Sequence, residues 1–277
     1  MKTLNLLIPT DFSPVSEQAI QTAYKLAKNI DAKIHILHVI EANDAIIAEN
    51  PDLSEAIDLK AFHKKEANAA EKFNALKEAG LDFVPHVKIG LLTKEINKVA
   101  REISANLLIM GTEGSSGFME KISGSDAQHV VRQLEVPVLT LRPGTSINEL
   151  KNILLVADFE HFGKGEQINM IKQIADAFDS TIHLLQIIKE EDEPYADEIL
   201  EQMKFFAKEH QLVKFETNFY RDKKVADGVR NFNKEAEMDL VCIRTHGRKG
   251  ISHFLFGSIA ERLVNHCLKP LLTFHLK

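Results

Sequence analysis

Cysteine is nearly absent from this chain: it has two, Cys242 and Cys267, in 277 residues. They match Ile109 and Leu134 in the first half, so neither cysteine is repeated between the halves. A disulfide framework is therefore excluded, and free thiols in a reducing cytosol are expected. Cys242 lies in an apolar strand-like run and reads as core. Long hydrophobic runs are missing too. No apolar stretch reaches about 18 residues and no charged-then-apolar leader opens the sequence, so neither membrane spanning nor secretion is expected, and a cytoplasmic location is. Positive charge is not in excess. Lys and Arg number 34 against 40 Asp and Glu, a net charge of -6, which argues against nucleic acid as a partner but allows a local basic pocket. Catalytic signatures are absent as well: there is no G-x-S-x-G elbow, no Walker lysine after the glycines and no His-Cys cluster.

What the chain does have, it has twice. The run LIMGTEGSSGFMEKISGSDAQHVV from Leu108 returns as VCIRTHGRKGISHFLFGSIAERLV from Val241. Gly114, Gly117, Gly124 and Ser125 fall on Gly247, Gly250, Gly257 and Ser258, a constant offset of 133 (247 against 114). LLIPTDF (6–12) returns as ILLVADF (153–159), setting Asp11 against Asp158. AKIHILHVI (32–40) returns as STIHLLQII (180–188), and VPVLTL (136–141) as KPLLTF (269–274). Such self-similarity makes the chain two copies of one unit. The expected domains are 1–143 and 150–277, with the boundary in the turn-rich segment 142–147, which is not expected to belong to a core element. Each copy, at about 140 residues, is large enough for its own core.

Within a copy, strands and helices alternate. In the first, the pattern predicts strands at 4–9, 32–40, 83–89, 107–110 and 138–141. Ser13-Pro14 reads as N-cap and first helical residue, followed by an apolar stripe at Ala19, Ile20, Ala23, Leu26 and Ala27. Further helices are predicted at 53–79, closed by Gly80, at 93–103, and from about Ser125. The fold class is α/β: two repeated open parallel five-stranded sheets with helices on both faces, a Rossmann-like pseudo-twofold tandem.

The glycine loop follows a strand ending at Met110 and opens a helix after Gly124. Free N–H groups at a helix start suit phosphate, glycines let a backbone approach an anion, and Ser125 can donate a hydroxyl. Asp11 ends another strand on the same edge, where it can accept from a ribose hydroxyl or an adenine amine. Each residue taken alone reads better as a turn or cap residue; the set read with Asp11 favours a phosphate site.

These residues resemble the universal stress protein family, in tandem form and over nearly the whole length. Its nucleotide-binding members carry G-x-x-G, nine residues, then G-[ST], and Gly111, Gly114, Gly124 and Ser125 match it completely. Pro9, Thr10 and Asp11 match the first-strand signature whose Asp contacts the nucleoside, and Val39 matches a position that packs on adenine. The resemblance implies ATP or another adenine nucleotide as ligand, a role as stress-response sensor or regulator, and antiparallel pairing of the final strands. In a tandem chain that pairing can be internal.

The first copy has Asp126 at the helix start and Glu113 in the loop, so Mg2+ is expected between these carboxylates and a triphosphate. The second copy departs from the pattern. Arg244 replaces the first glycine and Val156-Ala157 replaces Pro9-Thr10, leaving Asp158, Gly247, Gly257 and Ser258 as weaker candidates. Arg244 either fills the cleft or pairs with a phosphate. His246 and His253 lack a third ligand at metal-site spacing, so no metal site is expected. The long segment 45–78 is a candidate homodimer surface. Two alternatives stand beside nucleotide binding: a non-nucleotide scaffold taking small ligands, and slow ATP hydrolysis or phosphotransfer at Ser115, Ser116 or Ser125, although no catalytic residue is identified.

Overall fold

The structure is a computed structural model. It describes residues 3–41, 59–112, 134, 136–145, 147, 149–159, 166–246, 263 and 267–276. The first half runs β1 (Leu4–Pro9), α1 (Pro14–Asn29), β2 (Ala32–Glu41), α2 (Leu59–Glu78), β3 (Val84–Gly90), α3 (Leu92–Glu102), β4 (Leu107–Gly111) and β5 (Val138–Leu141). The second runs β6 (Asn152–Val156), α4 (Glu166–Phe178), β7 (Thr181–Ile188), α5 (Ala196–Glu209), β8 (Phe215–Arg221), α6 (Val225–Ala236), β9 (Leu240–His246) and β10 (Leu271–Leu276).

The strands form one ten-stranded sheet in the order β3-β2-β1-β4-β5-β10-β9-β6-β7-β8. Every pairing within a half is parallel. The two expected five-stranded sheets are thus joined at their final strands. There β5 and β10 run antiparallel, with Leu271 opposite Thr140, Leu272 opposite Leu139 and Thr273 opposite Val138. Two hydroxyls tie the seam symmetrically: Thr140 donates to the Leu271 carbonyl at 3.2 Å, and Thr273 to the Val138 carbonyl at 3.3 Å. Both would-be edges are consumed in this way.

Local chemistry explains the elements. The fully parallel halves are covered on both faces, so β1 and β4 read as nearly unbroken buried runs. Ser13 caps α1, accepting from the Ser16 amide at 3.4 Å, and Pro14 supplies the first-turn φ. Gly80 follows α2 at φ 84, the left-handed region glycine enters freely. The start of α3 falls at Leu92 rather than Thr93, and no side chain caps it. The acidic run after β7 forms a 3-10 turn, Glu190–Tyr195, in which Asp192 accepts from the Lys189 amide at 2.9 Å.

The linker differs from expectation. Residues 143–144 do turn, but Ile147 and Leu150 are buried in the main core with Leu141 and Ile153. The segment packs because Gln18 of α1 clamps it: its Nε2 donates to the Arg142 carbonyl at 3.0 Å and also to the Thr145 carbonyl, and its Oε1 accepts from the Gly144 amide at 3.2 Å. Cys242 and Cys267 are buried free thiols, and burial pushes both pKa values up. Among the described residues no helix is long and apolar enough to cross a membrane.

Polar anchors at the amino ends of the strands repeat between halves. The Asn5 amide donates to Asn106 at 2.8 Å; the Asn152 amide donates to Asp239 at 2.9 Å. His35 Nε2 donates to Asn5 Oδ1 at 3.3 Å, and His183 Nε2 to Asn152 Oδ1 at 3.1 Å. These pairs sit at the amino ends of the strands, the end opposite Asp11 and Gly111.

Candidate functional site

In each half the strand order reverses between two neighbours, β1 and β4 in the first, β6 and β9 in the second. At such a point the helices leave in opposite directions and open a crevice at the carboxyl ends of the strands. Pro9, Thr10, Asp11 and Gly111 all lie there in the first half.

Thr10 is buried and organises the turn out of β1. Its amide donates to the Leu37 carbonyl at 2.8 Å, its hydroxyl lies 3.0 Å from that of Ser16, and it accepts from the Phe12 amide at 2.9 Å. Phe12 takes φ 61, a left-handed conformation that turns the chain sharply and leaves Asp11 exposed at the rim. The Asp11 carboxylate accepts from the Ser13 amide at 3.0 Å. Partial burial pushes its pKa up, but hydrogen bonds from Ser13 and Ser16 outweigh this and hold it below the usual carboxylate value. Asp11 is therefore an ionised, acceptor-only group at neutral pH, aimed by its own turn.

Beside it, His38 Nδ1 donates to the Thr10 carbonyl at 2.9 Å. Val39 is buried, its side chain packed in a core cluster with Leu7, Leu37 and Leu108. Its backbone is placed differently. The Leu37 carbonyl faces β1, and in a strand every second residue faces the same neighbour. Val39 therefore turns its N–H and C=O to the β1 side beyond Pro9, the last β1 residue in register. A backbone donor and acceptor in that position can serve a polar ligand at the strand ends.

Gly111 has a structural reason of its own. A Cβ there would stand 2.4 Å from the Val15 carbonyl oxygen and 2.7 Å from its carbon. The missing side chain lets the first turn of α1 lie on β4, which brings Asp11 close to the start of the glycine loop. This packing role stands beside the anion approach expected of the glycine. Gly114, Gly124 and Ser125, with Glu113 and Asp126, lie outside the described residues, as do Gly247, Gly257 and Ser258.

Three features were not anticipated from the residues: the Thr10–Ser16 hydroxyl pair, His38, and an aromatic platform. Phe12 packs on His38 at 4.9 Å and on Phe73 of α2 at 5.3 Å between ring centroids, with Lys72 Nζ 4.9 Å from the Phe12 ring centroid. The one available signal was the repeat itself, since His38 and Gln186 occupy matching positions. Gln186 does related work by accepting from the Phe159 amide at 3.2 Å. In the second half Asp158 follows β6, and Arg244 stands where Gly111 stands in the first. Among the described residues no group of three or more His, Cys, Asp or Glu is arranged to hold a metal ion.

The fold defines a duplicated α/β protein with two switch points, the places where open α/β sheets bind ligands. The profile of the Universal stress protein family matches residues 3–142 and again 149–275, and the chain belongs to that family. A universal stress protein of Methanocaldococcus jannaschii is 28% identical over 138 residues, covering 50% of this chain and 81% of that protein. Universal stress protein G of Escherichia coli O157:H7 is 26% identical over 144 residues, 50% of this chain and 97% of its own length. The crystal structure of a universal stress protein from Archaeoglobus fulgidus superposes over 99% of both chains with a TM-score of 0.71 at 16% identity, a likeness of fold across the whole tandem.

Proposed function

We propose that the first half binds ATP or another adenine nucleotide, and that the protein acts in the cytoplasm as a stress-response sensor or regulator whose occupancy alters its conformation or partners. The observation that carries this reading is the pairing at the first switch point. The ionised, exposed Asp11 stands beside the outward-facing backbone of Val39. One group suits a ribose hydroxyl, the other the hydrogen-bonding edge of adenine. Gly111 ends β4, Gly114, Gly124 and Ser125 follow it in sequence, and that loop is the proposed phosphate cradle. Glu113 and Asp126 make Mg2+ the proposed companion of a triphosphate. The proposed units are residues 1–143 for binding and 150–277 as a degenerate partner, with homodimerisation through 45–78 as a further proposal.

The test is calorimetric titration of ATP, with and without Mg2+, into protein stripped of carried-over ligand. Saturable binding lost on Gly124→Val and weakened by Asp11→Ala is the expected result. No saturable binding would replace this reading with a scaffold for other ligands.

A further inference from the structure

The second switch point is built from the same ladder with different chemistry. β6 and β9 pair with Val156 beside Ile243. One step further the parallel register sets Ala157 beside Arg244, with Asp158 next in line. Side chains alternate along β9, so Arg244 shares the face of Cys242, which lies in the main core cluster. In the first half the corresponding face at Gly111 has no room for even a methyl group, because α1 begins there. A side chain as long as that of Arg244 has no room at the corresponding position of the first half.

Burial agrees with this. Arg244 is half-buried, and Asp158 is half-buried where Asp11 is exposed. Burial draws the Arg244 pKa down, and the Asp158 charge pulls it back up, so the two groups act on each other across the strand ends. The guanidinium itself stays charged at any physiological pH.

We infer that Arg244 is a built-in occupant of the second cleft: its guanidinium engages Asp158 in place of the nucleoside group proposed for Asp11, leaving one working nucleotide site and one latent site per chain. This rests on the reading of Asp11 above. A nucleotide entering the second cleft has to displace Arg244 from Asp158 and leave a half-buried charge uncompensated, a large penalty. Specificity for one ligand per chain thus comes from a single side chain.

The experiment is ATP titration in Mg2+ on the full, ligand-stripped chain, comparing wild type with Arg244→Gly and Arg244→Ala, each checked for an intact thermal melt. One site in the wild type and two in either variant is the expected result, with the added site abolished by Asp158→Ala and the original one by Asp11→Ala. Two sites in the wild type, or a folded variant that still binds one, overturns the inference alone. No site in the wild type but one in a variant overturns the reading of the first half alone. No binding by any of them overturns both. A measurement that needs no folded variant tests the wild type directly. The Arg244 Nε–H resonance should not move as ATP saturates the protein, and a shift would mean that Arg244 is a phosphate ligand.

Discussion

The two halves share strand order, register and buried polar anchors, and they part company at the switch point. In the first, Thr10, Ser13 and Ser16 shape a turn that exposes Asp11. In the second, Ala157 carries no hydroxyl, Gln186 holds the turn instead, and Asp158 lies half-buried beside Arg244. The scaffold is kept where it supports the sheet and altered where a ligand would sit. Gly111 stands on both sides of this division: it seats α1 on β4 and belongs to the proposed phosphate loop.

The sharpest way to break the comparison is at its paired positions. Gly111→Ala puts a methyl 2.4 Å from the Val15 carbonyl oxygen, a clash with backbone that cannot rotate away. It should cost about 3 kcal/mol of stability by urea denaturation, whereas Arg244→Ala should not show this clash. A Gly111→Ala protein as stable as wild type would mean that α1 does not rest on β4 as described.

Asp11→Ala is expected next in size. It should weaken ATP binding about 10- to 100-fold, about 1.4–2.8 kcal/mol, while Asp158→Ala in the wild-type background leaves it unchanged. Equal losses in the two variants would erase the functional distinction between the halves.

Acid should separate the halves as well. His35 is neutral: Nε2 donates to Asn5, and Nδ1 accepts from His86 Nε2 at 3.0 Å. Burial, followed by the His86 and Lys33 charges, takes its pKa from 6.5 down to about 4. The folded state thus resists a proton that the unfolded state accepts. The stabilisation is complete above pH 6.5 and is lost as pH falls from there towards about 4. About 1 kcal/mol should go by pH 5, well short of the full linkage value because water screens part of the pair. His183 has the Glu216 carboxylate 3.3 Å from Nδ1, which favours a proton against the effect of burial. Hydrogen exchange at pH 5 should therefore loosen β1–β3 before β6–β8, and simultaneous loss of protection would contradict this.

The smallest effect belongs to Ser13→Ala. Its cap bond is long at 3.4 Å, so the loss should be about 0.5 kcal/mol, read as a small drop in melting temperature.

The repeat made much of this visible before any coordinates. Offsets of 147 (153 against 6), 148 (180 against 32) and 133 (269 against 136) aligned the strands, the Ser13-Pro14 start of α1 was explicit, and the family resemblance implied the pairing of the final strands VPVLTL and KPLLTF. What stayed hidden depends on three-dimensional neighbours. Gly111 looked like one more loop glycine because the helix that needs its space lies nearly a hundred residues earlier. Ile147 was lost in a turn-rich segment because its burial depends on Gln18 clamping the linker. The Phe12 platform draws Phe73 and Lys72 from α2, and no local pattern connects them. The Arg244 question stayed open in the sequence because both of its readings need the same residue.

The β5–β10 seam has an evolutionary consequence. Two identical subunits around a twofold axis cannot change one site alone, since each substitution appears at both. Here the seam keeps the geometry of such a dimer, while the peptide link through residues 142–151 gives every position its own codon. An arginine could enter one cleft and leave the other untouched, and the symmetry of the architecture no longer dictates the symmetry of the chemistry.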